Sequence, residues 1–70
     1  MTISKRIKSL REDHEPRLSQ AELGKELHKT QRTISRLERG EVHLQDTDII
    51  AYCKFFGVSA DYILGLSDEK

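Results

Sequence analysis

The chain has 70 residues with 12 Lys/Arg, 12 Asp/Glu and one cysteine, and its formal net charge at pH 7 is zero. A chain of this length forms one small domain, which buries only ~60% of the surface that its unfolded form exposes. The sequence has no apolar run near the ~20 residues that a membrane-spanning helix needs, no secretory signal pattern, and too few cysteines for an internal disulfide. We therefore expect a cytoplasmic protein.

Charge is unevenly distributed along the chain. Residues 1–39 hold ten Lys/Arg and six Asp/Glu, whereas residues 40–70 hold two and six, so the net charges are +4 and −4. This asymmetry is typical of a protein with one basic binding surface, although a solvated surface of mixed charge would have the same composition. Cys53 stands among apolar residues, which favours a buried small hydrophobic residue over a catalytic thiol.

The first predicted helix covers residues 2–14. Thr2 is its candidate N-cap, and Ile3, Ile7 and Leu10 recur at helical spacing. Arg11 continues the same apolar stripe, so its guanidinium needs an acidic partner from elsewhere in the fold, since an unpaired buried charge is costly. The basic residues that lie off this stripe are expected in solvent: Lys5, Arg6 and Lys8.

A second helix is predicted to end at about Leu27. Ser19 and Glu22 have the S-x-x-E spacing of a capping box, and Leu23 and Leu27 face inward. Gly24 lies beside that face. Because a glycine inside a helix costs ~1 kcal/mol relative to alanine, this position indicates that another backbone comes close.

The third helix is predicted to start after a short turn at His28 and Lys29, with Thr30 as its N-cap, and to run to about Arg39. Gly40 then supplies the left-handed stop. At 100° per residue, Ile34 and Leu37 face one side of this helix. The opposite side is polar and consists of Arg32, Ser35, Arg36 and Arg39, with Gln31 at its edge.

A fourth helix is predicted over residues 46–56, ended by Gly57. Three residues could cap its start, and its expected core face has four members. The candidate caps are Gln45, Asp46 and Thr47, and the core face is Ile49, Ile50, Cys53 and Phe56.

Ser59 and Gly65 delimit a short fifth helix, and residues 67–70 are expected to be a flexible tail. No strand pattern appears. The predicted fold is therefore an all-α, compact five-helix domain over residues 1–66.

Helices 2 and 3, joined by a three-residue break, have the form of a helix-turn-helix, which places its second helix in the major groove of DNA. Arginine pairs with guanine edges and glutamine with adenine edges. Because the N-terminal turns of the reading helix penetrate deepest, the predicted base contacts are Gln31, Arg32, Ser35 and Arg36. Arg39, one turn further on, is expected to meet a phosphate.

Four segments together resemble the Cro/repressor (XRE-like) helix-turn-helix family of phage and bacterial transcription regulators. Between residues 6 and 66 the segments are RIKSLR, LSQAELG, TISRLERG and FGVSADYILGL. The resemblance implies a lambda-repressor-like fold and a regulator, a repressor in our interpretation, that binds double-stranded DNA as a dimer on a pseudo-palindromic operator. The sequence itself places no nucleophile beside a base and contains no glycine-rich phosphate loop, so we expect no enzymatic activity and no cofactor. No small-molecule ligand is evident, and no membrane attachment is expected.

The resemblance also implies roles for single residues. Gln20 would contact a phosphate and brace helix 3, and Arg11 would form a buried ion pair with Glu38, which leaves the arginines of helix 3 unopposed. The expected phosphate contacts are Gln20, Lys29, Thr30, Thr33 and Arg39.

The chain departs from the family pattern at three places. His28 occupies a turn position where the family commonly has glycine, so either this histidine is left-handed or the turn relaxes. Lys29 replaces a small apolar residue; its stem could cover the core while its head reaches phosphate. The loop of residues 41–43, often basic in phage repressors, is EVH here.

The histidines, His14, His28 and His43, lie in separate loops without metal-ligand spacing, so no metal site is expected. The alternative function is a protein-interaction module, such as an antitoxin or regulator-binding domain, which would dock through the acidic second half. If the chain dimerises, Tyr62 and Leu66 are the expected contacts.

Overall fold

The structure, a computed structural model, describes residues 2–70, so Met1 of the predicted domain lies outside the described residues. This part of the chain forms five α-helices and no strand: α1 (Ile3–Asp13), α2 (Gln20–Glu26), α3 (Gln31–Glu38), α4 (Asp46–Phe56) and α5 (Ala60–Leu64). α2 packs against α3, α1 against α3 and α5, and α4 against α5. The Cα radius of gyration, 10.8 Å, agrees with the ~11 Å of a compact domain of this length. The all-α, five-helix prediction is confirmed.

Local side chains determine where the helices begin. The Thr2 hydroxyl accepts a hydrogen bond from the Lys5 amide, and Ser19 and Glu22 form the complete capping box. The start of α4, which the sequence leaves open, is at Gln45, whose amide donates to the Asp48 carboxylate at 2.9 Å. Each cap satisfies a backbone group that the first helical turn leaves unpaired.

The core forms where the apolar faces of all five helices meet. Its buried members are Ile7, Leu10, Leu23, Ile34, Leu37, Tyr52, Val58 and Ile63. Leu27 and Cys53 pack against this core and are partly buried. Among residues 2–70, no helix is long and apolar enough to cross a membrane.

The predicted core face of α4 is partly wrong. Ile50 is 52% exposed, whereas Tyr52, which the predicted core face did not include, is fully buried. Six of the last eight residues of this helix are apolar or aromatic, and another is cysteine, so its sequence does not define one apolar stripe. Packing selects the face that contains Asp48 and Tyr52, which are four residues apart.

The prediction that Arg6 is solvated is also wrong. This residue is only 9% exposed. Its guanidinium carbon lies 4.1 Å from the centre of the Tyr62 ring, and one terminal nitrogen is 3.5 Å from the Asp68 carboxylate. Arginine can be buried in this way because its planar group stacks on an aromatic face.

Residues 67–70 pass back over α1 and α5. The Lys70 carbonyl accepts a 2.9 Å hydrogen bond from the Ser59 amide, and Asp68 pairs with Arg6. These contacts show where the tail lies, and its flexibility stays a prediction.

Candidate nucleic-acid interface

Helix α3 presents one buried and one exposed face. Ile34, Leu37 and Glu38 are buried against the rest of the domain. The predicted base-contacting residues Gln31, Arg32 and Arg36 are exposed on the other face together with Arg39, while Ser35 and Thr33 are half-buried. The Thr30 hydroxyl caps the helix by accepting from the Thr33 amide at 3.1 Å. The predicted readers therefore do share one solvent-facing surface.

The turn between α2 and α3 is tight. His28 has a φ of 59°, so it accepts the left-handed backbone that glycine provides more cheaply. The Lys29 amide donates to the Gly24 carbonyl at 2.7 Å, and a Cβ at Gly24 would lie 2.7 Å from the Lys29 carbonyl oxygen. The close backbone approach predicted at Gly24 is thus made by the turn itself, at Lys29.

A buried ion pair supports α3 from behind. The Arg11 Nε donates to Glu38 Oε2 at 2.7 Å and its Nη2 donates to Oε1 at 2.9 Å, in the two-pronged geometry that arginine favours. The Glu38 hydrogen bonds raise the pKa of Arg11. The remaining terminal nitrogen of Arg11 donates to the Leu18 carbonyl at 2.9 Å. The structure therefore pairs the two residues that the family resemblance pairs.

Gln20 connects this ion pair to the start of α3. Its Nε2 donates to Glu38 Oε1 at 3.1 Å, and its Oε1 accepts from the Gln31 Nε2 at 3.0 Å. The buried carboxylate, Gln20 and the first residue of α3 thus form one hydrogen-bonded chain. This is the bracing of helix 3 that was expected of Gln20.

Lys29 makes a contact that was not predicted. Its ammonium forms an ion pair with the Asp48 carboxylate of α4, and both side chains are largely buried. Burial opposes ionisation of Asp48, but the hydrogen bonds from Lys29 and from the Gln45 amide outweigh it and lower the pKa of Asp48. The lysine head therefore ties the turn to α4.

The arginines of α3 are not all unopposed, contrary to the sequence-based expectation. Glu41 Oε2 lies 2.9 Å from the Arg39 Nε, and its Oε1 lies 3.8 Å from the Arg36 Nε. The Arg11–Glu38 pair takes up only the acidic residue of α3 itself. Glu41, in the following loop, is a second carboxylate that reaches the arginines. Among the described residues, Arg32 forms no ion pair with a carboxylate.

Sequence reasoning missed Arg17. This exposed residue of the connector lines the same surface groove as Gln20 and Gln31, and it pairs loosely with Glu12 at 3.3 Å. Its signal was a basic residue two positions before the cap of α2, next to a predicted phosphate contact.

The profile of the family described as helix-turn-helix matches residues 7–63. The chain belongs to this helix-turn-helix family. The comparison with curated proteins gave no significant match. Among solved structures, the chain is similar to the P22 c2 repressor protein in complex with the synthetic operator 9T in the presence of Tl⁺. The two have a TM-score of 0.80 and 30% identity, over 91% of this chain and 94% of that one. The resemblance to XRE-like repressors is confirmed.

The residues matched by the family profile include the whole helix-turn-helix and most of the helices that support it. Helix α3 is the recognition helix of this unit, and α2, the turn and the Arg11–Glu38 pair hold its position. Outside the motif, Asp48 of α4 pairs with Lys29 of the turn, and Glu41 of the loop after α3 pairs with Arg39 and Arg36.

Proposed function

We propose that this protein is a transcriptional repressor that binds double-stranded DNA in a sequence-specific manner. The observation that supports this most directly is the exposed face of the recognition helix. Gln31, Arg32 and Arg36 face solvent there, while the opposite face of the helix is buried. The similarity to the P22 c2 repressor, whose structure is a complex with an operator, supports the same function.

The residues divide into two roles. Gln31, Arg32, Ser35 and Arg36 contact base edges, since Arg and Gln match guanine and adenine in the major groove. Contacts to phosphate orient the protein without reading sequence. They come from Gln20, Thr30, Thr33 and Arg39, and we add Arg17 because it borders the same groove.

Lys29 has a different role in this proposal. Its ammonium is already held by Asp48, and breaking a largely buried pair would leave a carboxylate without its partner. We therefore assign Lys29 to positioning the turn, and no longer to phosphate binding.

The active form is a dimer on a pseudo-palindrome with half-sites about one helical turn, ~34 Å, apart. Leu66 is 75% exposed and Leu64 is 38% exposed at the end of α5, which supports a contact there. Tyr62 contributes less than expected, because its ring is half-buried beneath Arg6.

Selection of bound duplexes from a random pool tests the function, the half-site symmetry and the spacing together. We expect an enriched pseudo-palindrome, and affinity that falls steeply with salt as several phosphates are neutralised. The double variant Arg32→Ala/Arg36→Ala should lose the enrichment. Lys54→Ala, which changes another exposed basic residue, on α4, serves as the control and should keep it.

Absence of any enriched sequence, with affinity that depends little on salt, would overturn the proposal. That outcome would favour the protein-interaction module, which docks through the acidic second half of the chain.

A further inference from the structure

A buried arginine of α1 lies against α5, the helix that carries the proposed dimer contact. We infer that Arg6 is a positioning residue for the dimer: by stacking on Tyr62 it holds α5 in the orientation that presents Leu66 to a second copy of the chain. This inference rests on the proposed function, in which two copies bind DNA together.

Helix α5 depends on its surroundings for a fixed orientation. Its five residues make about one and a half helical turns, and so short a helix is not stable by itself in water. Of the residues from Ala60 to Leu64, only Ile63 is buried. A single buried side chain does not prevent the helix from rotating about it, so other contacts must fix its direction.

Arg6 supplies the main second contact. It is 9% exposed, and its guanidinium carbon lies 4.1 Å from the centre of the Tyr62 ring. A guanidinium is attracted to an aromatic face, and its planar group is well suited to lie flat there. The ion pair of Arg6 with Asp68 is weaker, because the distance is 3.5 Å and the carboxylate is fully exposed. The Arg6–Tyr62 stack is therefore the stronger restraint on α5.

The end of α5 transmits the position of Tyr62 to Leu66. The Gly65 amide donates to the Tyr62 carbonyl at 3.2 Å, and the Leu66 amide donates to the Asp61 carbonyl at 2.8 Å. With Gly65 at a φ of 80°, these bonds form a Schellman motif, which fixes the residue after the glycine relative to the helix. Leu66 is 75% exposed although residues 67–70 pack nearby, so those residues leave the dimer contact open.

The expected consequence is confined to the step that joins two copies. Without the stack, α5 presents Leu66 in several orientations, and dimer formation must select one of them, which lowers the affinity between the copies. The groups assigned to DNA lie on α2, α3 and the segments next to them, away from the Arg6–Tyr62 stack. Binding of one copy to one half-site should therefore not depend on Arg6.

The test compares Arg6→Met with the wild-type chain on the selected operator duplex and on a duplex that carries one half-site. Methionine keeps an apolar stem at the buried position and removes the planar charged group. We expect affinity for the operator to fall about fivefold, while affinity for the single half-site changes by less than about twofold. Arg6→Lys, which keeps the charge without the planar group, should fall between the two chains, and it replaces the methionine variant if that variant does not fold.

Lys8→Met is the matched control, because it removes the same charge from an exposed position of α1 and should leave the ratio of the two affinities unchanged. Tyr62→Leu, alone and combined with Arg6→Met, completes the comparison. If the two side chains act as one unit, the double variant should bind the operator no more weakly than the weaker single variant.

An unchanged ratio in Arg6→Met would overturn the inference, and so would an equal loss on both duplexes, since Arg6 would then act through the whole fold. Losses that add in the double variant would show that Tyr62 acts independently of Arg6, which also contradicts it. If the wild-type chain binds no duplex with sequence preference, the proposed function fails and the inference with it, and that result is distinct from an unchanged ratio.

Discussion

At the scale of single residues, the buried guanidinium of Arg11 is the group that most needs a partner within the fold. A charge taken out of water must be paired and fully hydrogen-bonded, or it destabilises the fold. Glu38 accepts two of its hydrogen bonds and the Leu18 carbonyl a third. The same carboxylate also accepts from Gln20, so one side chain satisfies the core and braces the recognition helix.

Glu38→Ala should therefore lower the free energy of unfolding by about 3–5 kcal/mol, because it leaves Arg11 buried without its partner. Chemical denaturation and the melting temperature measure this loss. Glu12→Ala, which removes the half-buried partner of the exposed Arg17, is the control and should cost less than about 1 kcal/mol. Equal, small effects of the two variants would show that the Arg11–Glu38 pair contributes little.

At the scale of elements, α3 has a buried apolar face and a separate exposed polar face. Ile34 and Leu37 pack it against the core, and the Thr30 cap and the Gly40 stop define its ends. The turn before it contacts the backbone of Gly24 in α2. The polar face of α3 is therefore held in a defined position relative to the rest of the domain. Arg32 and Arg39, seven residues apart, lie near opposite ends of that face.

Position along α3 should decide what each arginine does. Arg32→Ala is expected to relax sequence preference at one base position, whereas Arg39→Ala should weaken all duplexes about equally and reduce the salt slope by about one phosphate. Binding measured against a panel of single-base operator variants at several salt concentrations distinguishes the two. Identical specificity profiles for both variants would contradict the division into base and phosphate contacts.

At the scale of the whole molecule, the Lys29–Asp48 pair joins the turn of the helix-turn-helix to α4. Asp48 also caps α4 by accepting from the Gln45 amide, so one carboxylate links the motif to the supporting helices. The orientation of α4 that buries Tyr52 is the one that brings Asp48 to Lys29. The recognition helix is thus held both by Arg11 of α1, through Glu38, and by α4, through the turn.

This link predicts a pH dependence of stability. The pKa of Asp48 is lowered in the folded chain from its ordinary 3.8, so the pair stabilises the fold fully above that value. The stabilisation is lost as pH falls through the lower, folded pKa. Asp48→Asn, which keeps an oxygen to cap α4, should lower the free energy of unfolding at neutral pH by about 2 kcal/mol and flatten its decline at acid pH.

Urea denaturation at a series of pH values measures both effects. Asp46→Asn is the control, because Asp46 lies in the same first turn but is exposed, and it should leave the acid decline in place. A decline in Asp48→Asn as steep as in the wild-type chain would assign the acid sensitivity to other carboxylates.

Local sequence was sufficient to predict the five helices and the polar face of α3, which forms much of the candidate site. The caps at Thr2, Ser19 and Ser59 and the stops at Gly40 and Gly57 act within a few residues of themselves, so they can be recognised in the chain alone. The polar face of α3 follows from helical geometry alone. The partner of Arg11, in contrast, was available only through the family resemblance.

Tertiary structure decided the contacts between elements that no local pattern encodes. How the helices and the chain segments after them come together determines the rotation of α4 and the burial of Arg6 beneath the tail. It also determines the pairing of Lys29 with Asp48 and of Glu41 with two arginines. The physical reason is that caps and periodicity are properties of a few neighbouring residues. Ion pairs and stacking instead depend on distances that exist only once the helices have packed.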